Sequence, residues 1–368
     1  MERALARSRD RLSDSRRTGR KMRLMIVDDS TVARAVLSRM IASDPAFDII
    51  AVAGTAEDAI VALGECRVDV IILDLEMPGA GGLKSIPRII AAGAGAKVMV
   101  VSSLAEDGAE QTVAALALGA ADTMPKPGTG RFNGKFSEIL VAKLKDLGFA
   151  SAQPPAPVAG GSMQTLLRAM PSDPIDALAI GASTGGIHAL GALFQALPER
   201  IGVPILVTQH LPMPFMSVFA RQLGVVARRE ALVASDGMAV TPDRILVAPG
   251  DAHLTLDPTP GGAVVRLTHG RSSSGCMPSV DPMLASVGAL YGSGALGVVL
   301  TGMGRDGVEG ASRLVACGGA VLAQDEGSCA VWGMPRAVLE AGLACAILPP
   351  EKIARRIAAR TEDQPACK

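Results

Sequence analysis

The chain has 368 residues, enough for two domains of ordinary size, and 49% of them are hydrophobic, so each domain can bury a core. Lysine plus arginine balances aspartate plus glutamate at 36 each and aromatic residues reach only 2%, which argues against nucleic acid and against an anionic membrane surface as partners. Six scattered cysteines without a C-x-x-C pair argue against a disulfide framework or a zinc site. With no apolar run of about 18 residues and no signal-peptide core, a soluble, cytoplasmic protein without membrane insertion is expected.

Residues 1–21, rich in Arg, Ser and Asp, are expected to be a disordered basic tail or to follow a misassigned start, because Met22 opens the first strand pattern. From there strands and helices alternate. Leu24–Val27 ends in Asp28-Asp29-Ser30, and a helix fits Thr31–Ile41. A second strand fits Phe47–Ala53, followed by a helix over Ala56–Gly64. Val70–Leu73 precedes Asp74, and Lys97–Val101 precedes Ser102. A helix fits Gly108–Leu118, and Ala121–Met124 precedes Pro125-Lys126-Pro127. Alternation of this kind implies a doubly wound parallel sheet over residues 22–147, of the flavodoxin-like kind.

In such a sheet the functional crevice lies at the carboxyl ends of the strands. Asp28, Asp29 and Asp74 would meet there. Three carboxylates at one rim repel unless a hard cation sits between them, and oxygen ligands suit Mg²⁺. A strand-end aspartate can also cap the next helix, but capping does not account for an acidic pair, a lone Asp, a Ser and a Lys-Pro on successive strand ends.

Residues 148–174 form a Pro/Gly/Ser-rich linker. A second alternating α/β pattern covers residues 175–365, with strands expected at 177–180, 204–208, 244–248, 297–301 and 319–323. Its first strand ends in Gly181-Ala182-Ser183-Thr184-Gly185-Gly186. Three uses fit this turn: an exposed nucleophile beside free N–H groups, a phosphate cradle, or a simple chain reversal. A dinucleotide cradle of the short-chain dehydrogenase kind needs a Tyr with a Lys four residues later, and the only tyrosine, Tyr291, is followed at that place by Ala295.

A serine nucleophile needs a base and an orienting carboxylate. His210 follows a buried strand pattern, and Asp306 lies in the glycine-rich turn after Val298–Thr301. His253 competes as base from a loop, His188 lies in the helix after Ser183, and His269 lies in a polar loop. The chain order Ser, His, Asp differs from that of the common α/β-hydrolases, despite the G-x-S-x-G match.

Two resemblances gather these observations. Ile26–Ser30, Leu73–Pro78, Val101–Ser103 and Lys126-Pro127 resemble the receiver domain of two-component response regulators. That implies Asp74 as phosphoryl acceptor, Asp28, Asp29 and Asp74 around Mg²⁺, Ser102 sensing the phosphoryl oxygen and Lys126 pairing with it. Gly81 replaces the aspartate usual before Gly82-Leu83, and Thr123 stands where an aromatic residue is frequent. Ile180–Gly186, Gln209–Pro212, Ala248–His253, Leu300–Gly307 and Val331–Pro335 are similar to chemotaxis protein-glutamate methylesterases, the CheB family.

This second likeness implies Ser183, His210 and Asp306 as a triad that needs no cofactor, with N–H groups near Thr184 and Met303 as the expected oxyanion hole. The implied substrates are methyl-accepting chemotaxis receptors, with glutamine deamidation as a second activity and a chemotaxis histidine kinase as phosphodonor. A regulator with a DNA-binding or scaffolding output is the alternative, opposed by the zero net charge and the serine constellation.

Overall fold

The computed structural model describes residues 20–78, 81–102, 106–126, 134–149 and 167–361. Most of the expected tail (residues 1–19), residues 150–166 of the linker expected over 148–174, and Pro127 lie outside these, and the first two residues of that expected linker continue the helix Gly134–Phe149.

The first domain is a five-stranded sheet, β1 (Met22–Val27), β2 (Phe47–Ala53), β3 (Val70–Asp74), β4 (Lys97–Ser102) and β5 (Asp122–Pro125), in spatial order β2-β1-β3-β4-β5. Every pairing is parallel, as expected for the flavodoxin-like order. The helices are α1 (Thr31–Ala42), α2 (Ala56–Glu65), α3 (Gly81–Gly93), α4 (Glu106–Ala117) and α5 (Gly134–Phe149). β3 is buried along its whole length, which accounts for its unbroken apolar run between two layers of helices. Ser30 and Thr55 start α1 and α2 by accepting the N–H groups of Ala33 and Asp58. α3 forms in spite of Pro87 in its interior.

The second domain is a seven-stranded sheet in spatial order β14-β13-β12-β6-β7-β9-β8. Its strands are β6 (Ala177–Ala182), β7 (Ile205–Gln209), β8 (Ala231–Val233), β9 (Ile245–Val247), β12 (Ala295–Val299), β13 (Ala320–Gln324) and β14 (Ala346–Leu348). All of these pairings are parallel. β10 (His253–Thr259) and β11 (Gly262–Thr268) form a separate antiparallel hairpin. The helices are α6 (Gly186–Ala196), α7 (Met216–Ala227), α8 (Val280–Tyr291), α9 (Val308–Ala316), α10 (Met334–Glu340) and α11 (Pro350–Ala358).

The five expected strands of this domain form within two residues of their expected bounds, whereas β8, β14 and the hairpin are additional. His253 therefore opens a strand and is buried, in place of the expected loop. β6 is the switch point of the sheet, because the chain runs to β7, β9 and β8 on one side and to β12, β13 and β14 on the other. A crevice is expected at its carboxyl end.

Candidate active site

Three neighbouring strands, β12, β6 and β7, deliver Asp306, Ser183 and His210 to one rim. Ser183 and His210 directly follow β6 and β7, and Asp306 is carried in by the turn after β12. Two glycines permit this crowding. Gly185 has φ +76°, and a Cβ there would lie 2.3 Å from the Ala330 Cβ. A Cβ at Gly302 would lie 2.7 Å from the Ser183 Cβ. Gln209 donates from Nε2 to the carbonyls of Ser183 (2.8 Å) and His210 (3.2 Å), tying the two strand ends together. The sequence marked Gln209 only as a motif neighbour.

His210 Nε2 lies 2.7 Å from Asp306 Oδ2. Asp306 is 1% exposed and accepts two further hydrogen bonds, from Ser279 Oγ at 2.6 Å and from the Val280 N–H at 2.8 Å. Burial would raise its pKa, but the hydrogen bonds from His210, Ser279 and Val280 hold the carboxyl far below its ordinary range. Burial would lower the imidazole of His210, yet the bond to Asp306 and the nearby Cys276 raise it to about 9. With Nε2–H committed to Asp306, Nδ1 is the nitrogen left to take a proton. Ser183 Oγ makes no hydrogen bond among the described residues, and catalytic contacts commonly tighten only around substrate.

The other histidines have different work. His253 Nδ1 accepts the Ser279 N–H (3.0 Å), and its Nε2 reaches the Gly270 carbonyl (2.8 Å). It therefore supports Ser279, which in turn supports Asp306. His188 is exposed and its Nδ1 contacts the Ala117 carbonyl (3.1 Å); His269 is exposed as expected. Ser279 and Cys276 were not anticipated. Ser279 is legible as a helix cap, since its side chain accepts the Asp281 N–H at the start of α8, but its bond to Asp306 depends on the tertiary fold. The Thr184 and Met303 N–H groups have no hydrogen-bond partner among the described residues.

The first domain covers part of the serine turn. The Gly185 N–H donates to the Ala121 carbonyl of the first domain at 2.7 Å, and Thr184 Oγ1 donates to Asp122 Oδ2 at 3.4 Å. Asp122 is itself held by Lys143 Nζ at 2.6 Å. α4 packs against α6 and α7, Glu110 pairs with Arg221, and Met303 and Ala330 pack against the cluster that holds Phe136 and Leu140. A cavity of about 510 Å³ remains between the domains, lined by Ser183, Thr184 and His210 on one side and Thr123, Phe136 and Ile139 on the other.

In the first domain Asp28, Asp29 and Asp74 bring their carboxylate oxygens within 4.8 Å of one another. Lys126 Nζ is 2.6 Å from Asp74 Oδ2 and 3.4 Å from Asp28 Oδ2. Burial pushes the Asp74 carboxyl up in spite of the lysine, the condition of a group that a cation would relieve. The donors are all oxygen, which fits Mg²⁺. β4 runs one residue past its expected end and includes Ser102, whose side chain lies outside the described part.

Among the described residues no helix is long and apolar enough to cross a membrane. Residues 24–131 match the response regulator receiver domain family and residues 178–357 the CheB methylesterase family. Protein-glutamate methylesterase/protein-glutamine glutaminase 2 of Caulobacter vibrioides is 41% identical over 344 residues, covering 92% of this chain and 99% of its own. A protein-glutamate methylesterase/protein-glutamine glutaminase of Paramagnetospirillum magneticum is 37% identical over 361 residues, covering 90% and 94%. The Thermotoga maritima CheB methylesterase catalytic domain overlays half of the chain (50%) and 98% of its own, with 36% identity and a TM-score of 0.49. The chain belongs to the CheB family of protein-glutamate methylesterases, with a receiver domain ahead of its catalytic domain.

Proposed function

We propose that this protein hydrolyses γ-methyl esters of glutamate side chains on chemotaxis receptors, deamidates receptor glutamines at the same site, and is switched on by phosphorylation of Asp74. What supports this most is the His210–Asp306 pair beside Ser183 at the ends of three adjacent strands, with the receiver seated on that rim.

In this mechanism Ser183 Oγ attacks the ester carbonyl while His210 Nδ1 takes its proton. The oxyanion is held by the Thr184 and Met303 N–H groups. Collapse expels methoxide, which takes the proton back from His210 and leaves as methanol. Water then attacks the glutamyl ester of Ser183, again giving its proton to His210, and the serine and the glutamate carboxylate are restored. A glutamine amide follows the same course, with His210 protonating the departing ammonia.

Phosphoryl transfer from a chemotaxis histidine kinase to Asp74 places its charge beside Lys126 and Ser102. Asp28, Asp29 and Asp74 would hold Mg²⁺, which neutralises the phosphoryl and carboxylate oxygens when bound. The kinase and the receptor's helices would meet the enzyme in the cytoplasm. The unphosphorylated receiver blocks the serine turn through Ala121 and Asp122, and phosphorylation shifts the population toward an undocked form.

Asp122→Ala removes one interdomain hydrogen bond worth about 1 kcal/mol. It is expected to raise the basal methanol release of the unphosphorylated protein about fivefold and to leave the fully phosphorylated rate unchanged. Equal effects on both rates, or none on either, would show that docking at Asp122 does not inhibit.

A further inference from the structure

We propose that His210, Cys276 and Asp306 form a Zn²⁺ site that reversibly shuts the esterase. The binding of the ion stands on geometry alone, while its inhibitory effect rests on the hydrolase mechanism above. One ligand atom from each of the three residues lies within 4.8 Å of the others. Tetrahedral zinc, with bonds of about 2.0–2.3 Å, sets its donors about 3.3–3.8 Å apart. Binding therefore opens the His210–Asp306 pair from its 2.7 Å hydrogen bond and brings Cys276 in by a movement of up to about 1 Å, from a loop whose neighbours Gly275 and Met277 are exposed.

The donor set is one imidazole nitrogen, one thiolate sulfur and one carboxylate oxygen. A borderline-soft ion such as Zn²⁺ prefers this combination over the hard cations that suit the all-oxygen cluster at Asp74. Asp306 is already oriented by Ser279 Oγ and the Val280 N–H, and the His210 backbone is pinned to the Ala182 carbonyl at 3.0 Å. Supporting bonds of this kind hold metal ligands in place. Three protein ligands leave a fourth position for water.

The site is invisible in the cysteine spacing, because its three members come from the position just after β7, the loop before α8 and the turn after β12. Zinc bound here, with the thiol proton and the imidazole proton held against Asp306 both released to water, recruits the ring and carboxylate that Ser183 depends on. The base is then unavailable until the ion leaves.

The test uses the full-length protein, freed of metals and assayed with Mg²⁺ in excess and free Zn²⁺ set by a metal buffer. Methanol release should fall at least tenfold in micromolar Zn²⁺ and return when a chelator is added. The Zn²⁺ concentration giving half-inhibition, relative to each protein's own uninhibited rate, should rise at least about 100-fold in Cys276→Ala, because losing even a supporting partner of a metal ligand costs about 10- to 100-fold. Co²⁺ as a spectroscopic probe should give a thiolate-to-metal absorption band in the wild type and in Ser183→Ala, and none in Cys276→Ala. Equal Zn²⁺ sensitivity of Cys276→Ala and wild type, or a Co²⁺ thiolate band that survives Cys276→Ala, would overturn the site. Because the band is read without turnover, its presence in Ser183→Ala separates the fate of the metal site from that of the serine mechanism.

Discussion

Ser183→Ala is expected to lower methanol release from methylated receptors about 10⁴-fold or more, a loss of about 5.4 kcal/mol of transition-state stabilisation. Ser183 stands at the switch point of the sheet, and its oxygen is not consumed by any hydrogen bond among the described residues. Deleting it therefore costs the fold little and the chemistry its nucleophile. The residual rate would come from the N–H groups of Thr184 and Met303, which remain in place. Methanol measured against receptor membranes, with thermal unfolding to show that the variant stays folded, checks this. Release equal to wild type removes Ser183 from the mechanism.

Replacing His210 by Gln should cost about as much as losing the serine, because the members of a triad act as a unit. His253→Gln should cost no more than about tenfold, the scale of one lost supporting hydrogen bond. The two histidines differ in what they touch: His210 meets Asp306 directly, whereas His253 reaches it only through Ser279. pH gives an independent check on the same residue. The imidazole of His210 is raised to about 9, and only its neutral form can accept the serine proton. kcat/KM should therefore rise about tenfold per pH unit through neutrality and level off near that value. A profile that levels off near the ordinary histidine value of about 6.5 would mean that Asp306 does not hold the imidazolium.

Much of this was legible because each key residue ends or follows an uninterrupted apolar run. Val70–Leu73 can only be a strand buried on both faces, so the position of Asp74 at its end follows, and the same holds for Ser183 after β6 and His210 after β7. Asp306 was harder, lying seven residues past β12, and it was found because its turn is rich in glycine. β8 and β14 were missed because three half-buried residues carry no period. α3 was obscured by Pro87 and by the glycines at its start. The contact of Cys276 with His210 and the support of Asp306 by Ser279 arise from a long loop folding back. The docking of Asp122 on Thr184 joins two patterns that are each complete alone, so nothing local announces it.

Ser183, and no other side chain at this rim, is expected to become acylated, on its Oγ. Cys276 lies close enough to His210 to be a rival nucleophile. Acid quenching of phosphorylated enzyme during turnover of a methylated receptor fragment, followed by proteolysis and mass spectrometry, reads the acylated residue directly. A glutamyl ester on the peptide containing Ser183 is the expected result. An adduct on Cys276, or turnover with no adduct on Ser183 while methanol is being released, would contradict it.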